Sequence, residues 1–234
     1  METSKVDLRI SWRTEVPQWL LLVAMFVAAA VVWPRAPERI PVHWGVSGAP
    51  DRFGGKAEGL LLLPLIALGV YVLMLVLPRL DPSRANYAAF AGAYAAIRIC
   101  IPAMLAAVYA AVLLASRGQE VSVSHLVPAI VGLGLLGCGS VMGKVRPNWF
   151  VGIRTPWTLS SRLAWTRTHR LGGWVLMGIG ALLALAGLSG IPALLVTAIA
   201  GASGGALWLF VYSYFVWRSD PDRVPPLGTA HGPL

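Results

Sequence analysis

The chain has 234 residues, of which 57 % are hydrophobic and only 12 % charged, and its net charge is +9, from 19 Lys and Arg against 10 Asp and Glu. Soluble domains carry roughly a quarter charged residues, so this composition excludes an ordinary soluble enzyme. The basic excess lies in short segments between long apolar runs, where no nucleic-acid-binding module fits; it suits retention at the cytoplasmic face and attraction to anionic lipid.

The first apolar run is Pro17 to Trp33, bracketed by Trp19 and Trp33 and preceded by Lys5, Arg9 and Arg13. Ala28, Ala29 and Ala30 resemble a signal-peptide cleavage region, but the run continues past them, which favours an uncleaved helix. The second run is Leu60 to Leu77, closed by Pro78 and Arg79. The third lies within Tyr87 to Ala115, and its one charge, Arg98, is expected to snorkel to the interface. The fourth is Leu126 to Met142 and the fifth Leu171 to Leu188. A turn over Ser189 to Pro192 leads into the sixth, about Ala193 to Trp217. Each run is long enough to cross a hydrocarbon core of about 30 Å as a helix. They are apolar on all sides, whereas strands of a membrane barrel alternate in polarity. The expected fold is therefore an all-α integral membrane protein, a bundle of six transmembrane helices.

Six crossings place both termini on one side. That side holds 14 of the basic residues and the other holds 5, Arg35, Arg39, Arg52, Lys56 and Arg117. The positive-inside rule then puts the N and C termini in the cytoplasm of a bacterial cell. The expected organisation is a cytoplasmic segment over 1–16, and a three-helix module over 17–125 with an external loop at 34–59. A second three-helix module follows over 126–217, with a cytoplasmic loop at 143–170, and 218–234 form a disordered Pro- and Gly-rich tail.

No motif carries catalysis or a cofactor. None of the Asp and Glu falls inside an apolar run, which speaks against a coupled transporter. The four histidines, His43, His125, His169 and His231, share no metal-ligand spacing, and Cys100 and Cys138 imply neither a disulfide framework nor a zinc site. Small-residue spacings, Gly139 with Gly143, Gly201 with Gly205 and the glycines from Gly172 to Gly187, suit close helix packing, with a homo-oligomer face as the alternative.

Two polar segments are too structured for plain loops. The outer one, Pro41 to Lys56, combines turn-forming Gly and Pro with His43, Trp44, Asp51, Phe53 and Lys56. Its aromatics belong at the headgroup level or against a partner. The inner one, Gly143 to Gly173, holds five Arg, one Lys and no acid. Retention alone does not need its Gly152-Ile-Arg-Thr-Pro-Trp157, where prolines and a glycine shape the backbone. Ser160 or Ser161 suits a helix cap, and Trp157 and Trp165 suit a lipid surface. The candidate partner-binding residues are Lys144, Arg146, Asn148, Arg154, Thr155, Trp157, Arg167 and His169; they present a shaped surface to a cytosolic partner, or close the bundle from below.

Met142-Gly-Lys-Val-Arg-Pro-Asn-Trp-Phe-Val-Gly-Ile-Arg-Thr-Pro-Trp-Thr-Leu-Ser160, followed by Trp165-Thr-Arg-Thr-His-Arg-Leu-Gly-Gly173, resembles the signature of the SdpI family of bacterial membrane immunity proteins. Ile40-Pro-Val-His-Trp44, with Gly48 and Asp51 to Lys56, is similar to an uncharacterised module that often lies upstream of it. The resemblance implies resistance to a secreted killing peptide. For the type member it also implies a signalling role, in which a small transcriptional repressor is held at the membrane. The competing reading, from the helix count alone, is a small-solute transporter or permease; a membrane enzyme ranks below both, for want of an acid–base pair.

Overall fold

The computed structural model describes residues 12–45, 49–117, 119 and 121–225. Lys5, Arg9, Gly48 and the tail from 226, with His231, lie outside the described residues. Among the described residues seven α-helices follow in order: α1 (Trp12–Val32), α2 (Lys56–Leu80), α3 (Ala91–Ser116), α4 (Val123–Met142), a one-turn α5 (Pro156–Leu159), α6 (Arg162–Ser189) and α7 (Pro192–Arg218). All but α5 are long and apolar enough to cross a membrane, so the protein is a bundle of six membrane-spanning helices. Among the described residues the outer loop departs from all-α: β1 (Ile40–Trp44) pairs antiparallel with β2 (Pro50–Gly54).

α1, α2 and α3 pack on one another, α3 on α4, α4 on α6 and α6 on α7. Outward positions are apolar and uncovered, among them Leu20, Leu65, Leu133 and Leu207, as expected of faces solvated by lipid. Without a hydrophobic drive between helices in lipid, close backbone approach holds such a bundle together. It is closest between α4 and α6. A Cβ on Gly132 would lie 2.4 Å from the Ala184 backbone nitrogen, and one on Gly173 would lie 2.7 Å from the Gly139 carbonyl oxygen. Gly139, Gly173 and Gly180 therefore serve packing inside the bundle.

Two prolines inside α2 create a problem that α3 solves. Pro64 and Pro78 lack an N–H, so the carbonyls four residues earlier, on Leu60 and Met74, lose their helical donors. In lipid an unpaired carbonyl is costly. The Tyr109 hydroxyl donates to the Leu60 carbonyl at 2.9 Å, and the Tyr94 hydroxyl donates to that of Met74. Both tyrosines are buried. Replacing both by Phe should lower stability by about 1 kcal/mol per lost hydroxyl, read as an earlier unfolding midpoint in denaturing detergent. An unchanged midpoint would mean that neither bond orders α2 against α3.

Three expectations are corrected. α1 begins early enough to include Glu15, so a buried carboxylate does lie within a spanning helix. Arg98 does not snorkel: it is 6 % exposed and donates from Nη2 to Glu15 Oε2 at 2.8 Å. Residues 219–225 of the expected tail pack back on the bundle, where the Val224 N–H donates to the Ser160 carbonyl and Trp217 Nε1 to that of Val224.

Candidate functional site

The bundle has two built ends. At the first, the segment between α4 and α6 folds into a compact knot. Asn148 is 2 % exposed and spends its side chain on its own loop. Its amide nitrogen donates to the carbonyls of Arg146 and Val151, and its Oδ1 accepts from the N–H groups of Phe150 and Val151. Gly152 follows with φ +120°, a conformation L-residues avoid. That turn aims the Ile153 N–H at His169 Nε2, 2.9 Å away, and His169 Nδ1 lies 2.8 Å from the Trp165 carbonyl. Nε2 accepts, so Nδ1 carries the proton and donates: the ring is the neutral Nδ1–H tautomer. Trp165 stacks on His169 with centroids 4.0 Å apart and donates from Nε1 to the Val145 carbonyl.

Thr155 caps α5 reciprocally with Thr158 and lies 2.9 Å, Oγ to Oγ, from Ser213 on α7. Trp157 packs edge-on against Phe210 and Tyr214. Ser161 caps α6 by accepting from the Ala164 N–H, and its hydroxyl donates to Asp220 beyond α7. α6 therefore starts nine residues before the apolar run that marked it in the sequence.

Two acids from elsewhere complete this acid-free segment. Asp81, 2 % exposed after α2, accepts from the Trp149 N–H at 3.0 Å and from the Tyr87 hydroxyl at 2.9 Å. Asn86 donates to the Pro147 carbonyl. Asp220, buried, is the second.

The structure thus divides the residues picked as partner-binding. Asn148, Thr155 and His169 are buried and shape the knot, and Trp157 is half-buried against α7. Lys144, Arg146, Arg154 and Arg167 are exposed, with Arg154 donating to the Trp149 carbonyl. Trp165, expected against lipid, is 1 % exposed inside the knot. Asp81, Asn86, Ser213 and Asp220 escaped the sequence reading. Both acids have a local signature: Asp81-Pro82-Ser83 and Asp220-Pro221-Asp222, each after a helix, are Asx-turn patterns, with Asp81 Oδ1 accepting from the Ser83 N–H and Asp220 Oδ1 from the Asp222 N–H.

At the second end sits the hairpin. Ile40 is fully buried over Gly59 and Leu60 and anchors it to α2. His43 Nδ1 and Asp51 Oδ1 are 2.6 Å apart across the strands. Lys56 turns instead to Glu38 at 3.0 Å, and Arg52 reaches Glu58 at 2.6 Å. Phe53 is 45 % exposed beneath the Arg39 guanidinium, and Trp44 is half-buried. Below the hairpin, between α2, α3, α4 and the α6–α7 turn, lies a cavity of about 720 Å³.

A third polar cluster lies between α1, α2 and α3. Glu15 Oε2 accepts from Arg98 and from the Tyr71 hydroxyl at 2.9 Å, and Trp19 Nε1 donates to that hydroxyl. Glu15 is thus a carboxylate inside the bundle, the kind of group a coupled transporter uses. Glu15 is, however, already matched by Arg98.

Comparison with known proteins finds similarity in the two segments that carry the motifs. Residues 144–215 match the SdpI/YfhL protein family, and residues 20–68 match a domain of unknown function, DUF1648. The chain is 25 % identical over 166 residues to a protein named Immunity protein SdpI from Bacillus subtilis, covering 71 % of this chain and 77 % of that one. It is 31 % identical over 48 residues to the uncharacterized membrane protein YbgB of Bacillus subtilis, 20 % of this chain and 53 % of the relative. An uncharacterized protein of Archaeoglobus fulgidus is 34 % identical over 67 residues, 26 % of this chain and 36 % of the relative. No solved structure matches.

Proposed function

We propose that this chain, whose residues 144–215 are of the SdpI/YfhL family, is an immunity protein of the bacterial cell membrane that gives resistance to a secreted, membrane-active killing peptide. The observation that carries this reading is the likeness to an immunity protein over 71 % of the chain. With Arg98 set aside inside the bundle, the remaining 13-to-5 division of basic residues supports cytoplasmic termini, which turns the hairpin outward and the knot inward. Reporter fusions after Arg218 and between Arg35 and Ile40 should then report opposite sides; the same side from both would sink this orientation.

In that orientation the hairpin stands where a peptide arriving from outside meets the bilayer. It offers Trp44 and Phe53, aromatics of the kind that anchor interfaces. Replacing both by Ala should reduce the peptide concentration that cells tolerate by roughly tenfold or more, at unchanged protein level. Full protection by the double variant would remove the hairpin from the mechanism. A signalling role would use the opposite end, where Lys144, Arg146 and Arg167 are exposed and, among the described residues, have no carboxylate partner. Such a surface suits an acidic patch on a cytosolic repressor.

A further inference from the structure

The geometry points to the cavity beneath the hairpin as the binding site for an uncharged apolar segment of a membrane-active peptide; this rests on the immunity reading and names the ligand class and the place. The cavity holds about 720 Å³, within the range of built ligand pockets. Its walls come from both matched segments. Val42, His43, Trp44 and Leu63 belong to the span 20–68, and Ala186 and Leu195 to the span 144–215. A site at the seam between two modules is a common position for ligands.

The lining is graded. Toward the hairpin it is polar, with His43, Arg52, Glu58 and His125. Deeper, along the spanning helices, it turns apolar, with Leu63, Val108, Val112, Val127 and Leu195. Leu62 and Ile191 also line it and are about half exposed on the bundle surface, so the cavity opens sideways where lipid lies. A peptide already in the membrane surface can enter without crossing water.

Charge selects the occupant. The permanent charges among the described lining residues cancel: Arg52 and Glu58 pair at 2.6 Å. Among the described lining residues no unpaired Lys or Arg remains to hold a phosphate, so the site does not suit a phospholipid headgroup. Paired side chains at the mouth still offer hydrogen bonds to a peptide backbone, while the floor takes its apolar side chains. Apolar anchors in a pocket with a polar rim are how peptides gain both affinity and register.

The test uses the full chain in vesicles of equal parts phosphatidylethanolamine and phosphatidylglycerol. One probe is a synthetic uncharged, leucine-rich peptide carrying a single diazirine side chain. The other is phosphatidylethanolamine with a diazirine in its acyl chain. After illumination, mass spectrometry maps the labelled residues. The expected result is peptide labelling at Leu63, Val108 or Val127. It should fall by about tenfold in Val108→Trp/Val127→Trp, in which indole rings fill the space. Leu195→Trp, from the opposite wall, should do the same and serves if the double variant fails to insert. Leu207→Trp, on the outer face of α7, should leave labelling unchanged. Peptide labelling spread over the lipid-facing surface, or insensitive to the filling variants, overturns the proposal. So does lipid labelling of the cavity that the peptide cannot displace.

The same variants in cells separate the two readings. If the parent chain protects and the filled variants protect equally at equal abundance, the cavity is not the site and the immunity reading stands. If the parent chain protects nothing while labelling stays confined to the cavity, the ligand class stands and the immunity reading falls.

Discussion

Replacing Gly152 by Ala is expected to unfold the knot between α4 and α6. A Cβ there would lie 2.2 Å from His169 Nε2, and the residue sits at φ +120°. The unfavourable backbone costs about 1–3 kcal/mol. Moving the His169 ring breaks its bond from the Ile153 N–H, which costs about another 1–3 kcal/mol because both groups are sheltered from water. Stacking on Trp165 leaves the ring little room to yield. The knot should become sensitive to proteolysis between Lys144 and Ser161, and the unfolding midpoint in denaturing detergent should drop. The same Gly-to-Ala change at Gly178, within α6, meets nothing within 4 Å and should instead be neutral or stabilise by up to about 1 kcal/mol. Equal behaviour of the two variants would mean that the turn at Gly152 is not specified by its contact with His169.

Arg98→Ala should be the most damaging change within the spanning helices. It leaves Glu15 buried against Tyr71 without the guanidinium it pairs with. Breaking one side of a buried pair typically costs about 3–5 kcal/mol, because the remaining charge keeps its desolvation penalty. Glu15→Gln keeps an acceptor for Tyr71 but strands Arg98, and should also destabilise. The double variant Glu15→Gln/Arg98→Ala removes both charges and should regain much of the loss. A double-mutant cycle in detergent-solubilised protein measures this coupling. Simple additivity of the two single changes would show that the ion pair does not join α1 to α3.

These two sites also mark how far the sequence could be read. Arg98 looked like a snorkelling residue because α3 was seen alone. Whether a charge reaches the interface or a partner depends on which helix lies beside it, and Glu15 is 83 positions away. The knot was legible as a shaped segment, since prolines and a glycine at fixed positions constrain a backbone locally. Its acids were not legible, because Asp81 and Asp220 reach it only when α2 and α7 end beside it. Trp165 was assigned to lipid on amphipathic grounds, which cannot distinguish a bilayer surface from a stacked imidazole.

The sequence by itself determined the six spans and the places where special backbone was needed. Hydropathy over a window and the backbone limits of Pro and Gly are local properties, complete in the order of residues. The tertiary structure alone decided which polar groups pair inside the bundle, which of the eight inner-loop candidates are buried, and that a cavity opens beneath the hairpin. Each depends on helices far apart in the chain meeting at a particular depth. In lipid that meeting is selected by close packing at glycines such as Gly132 and Gly173 and by donors such as Tyr94 and Tyr109 matched to the carbonyls that prolines leave free.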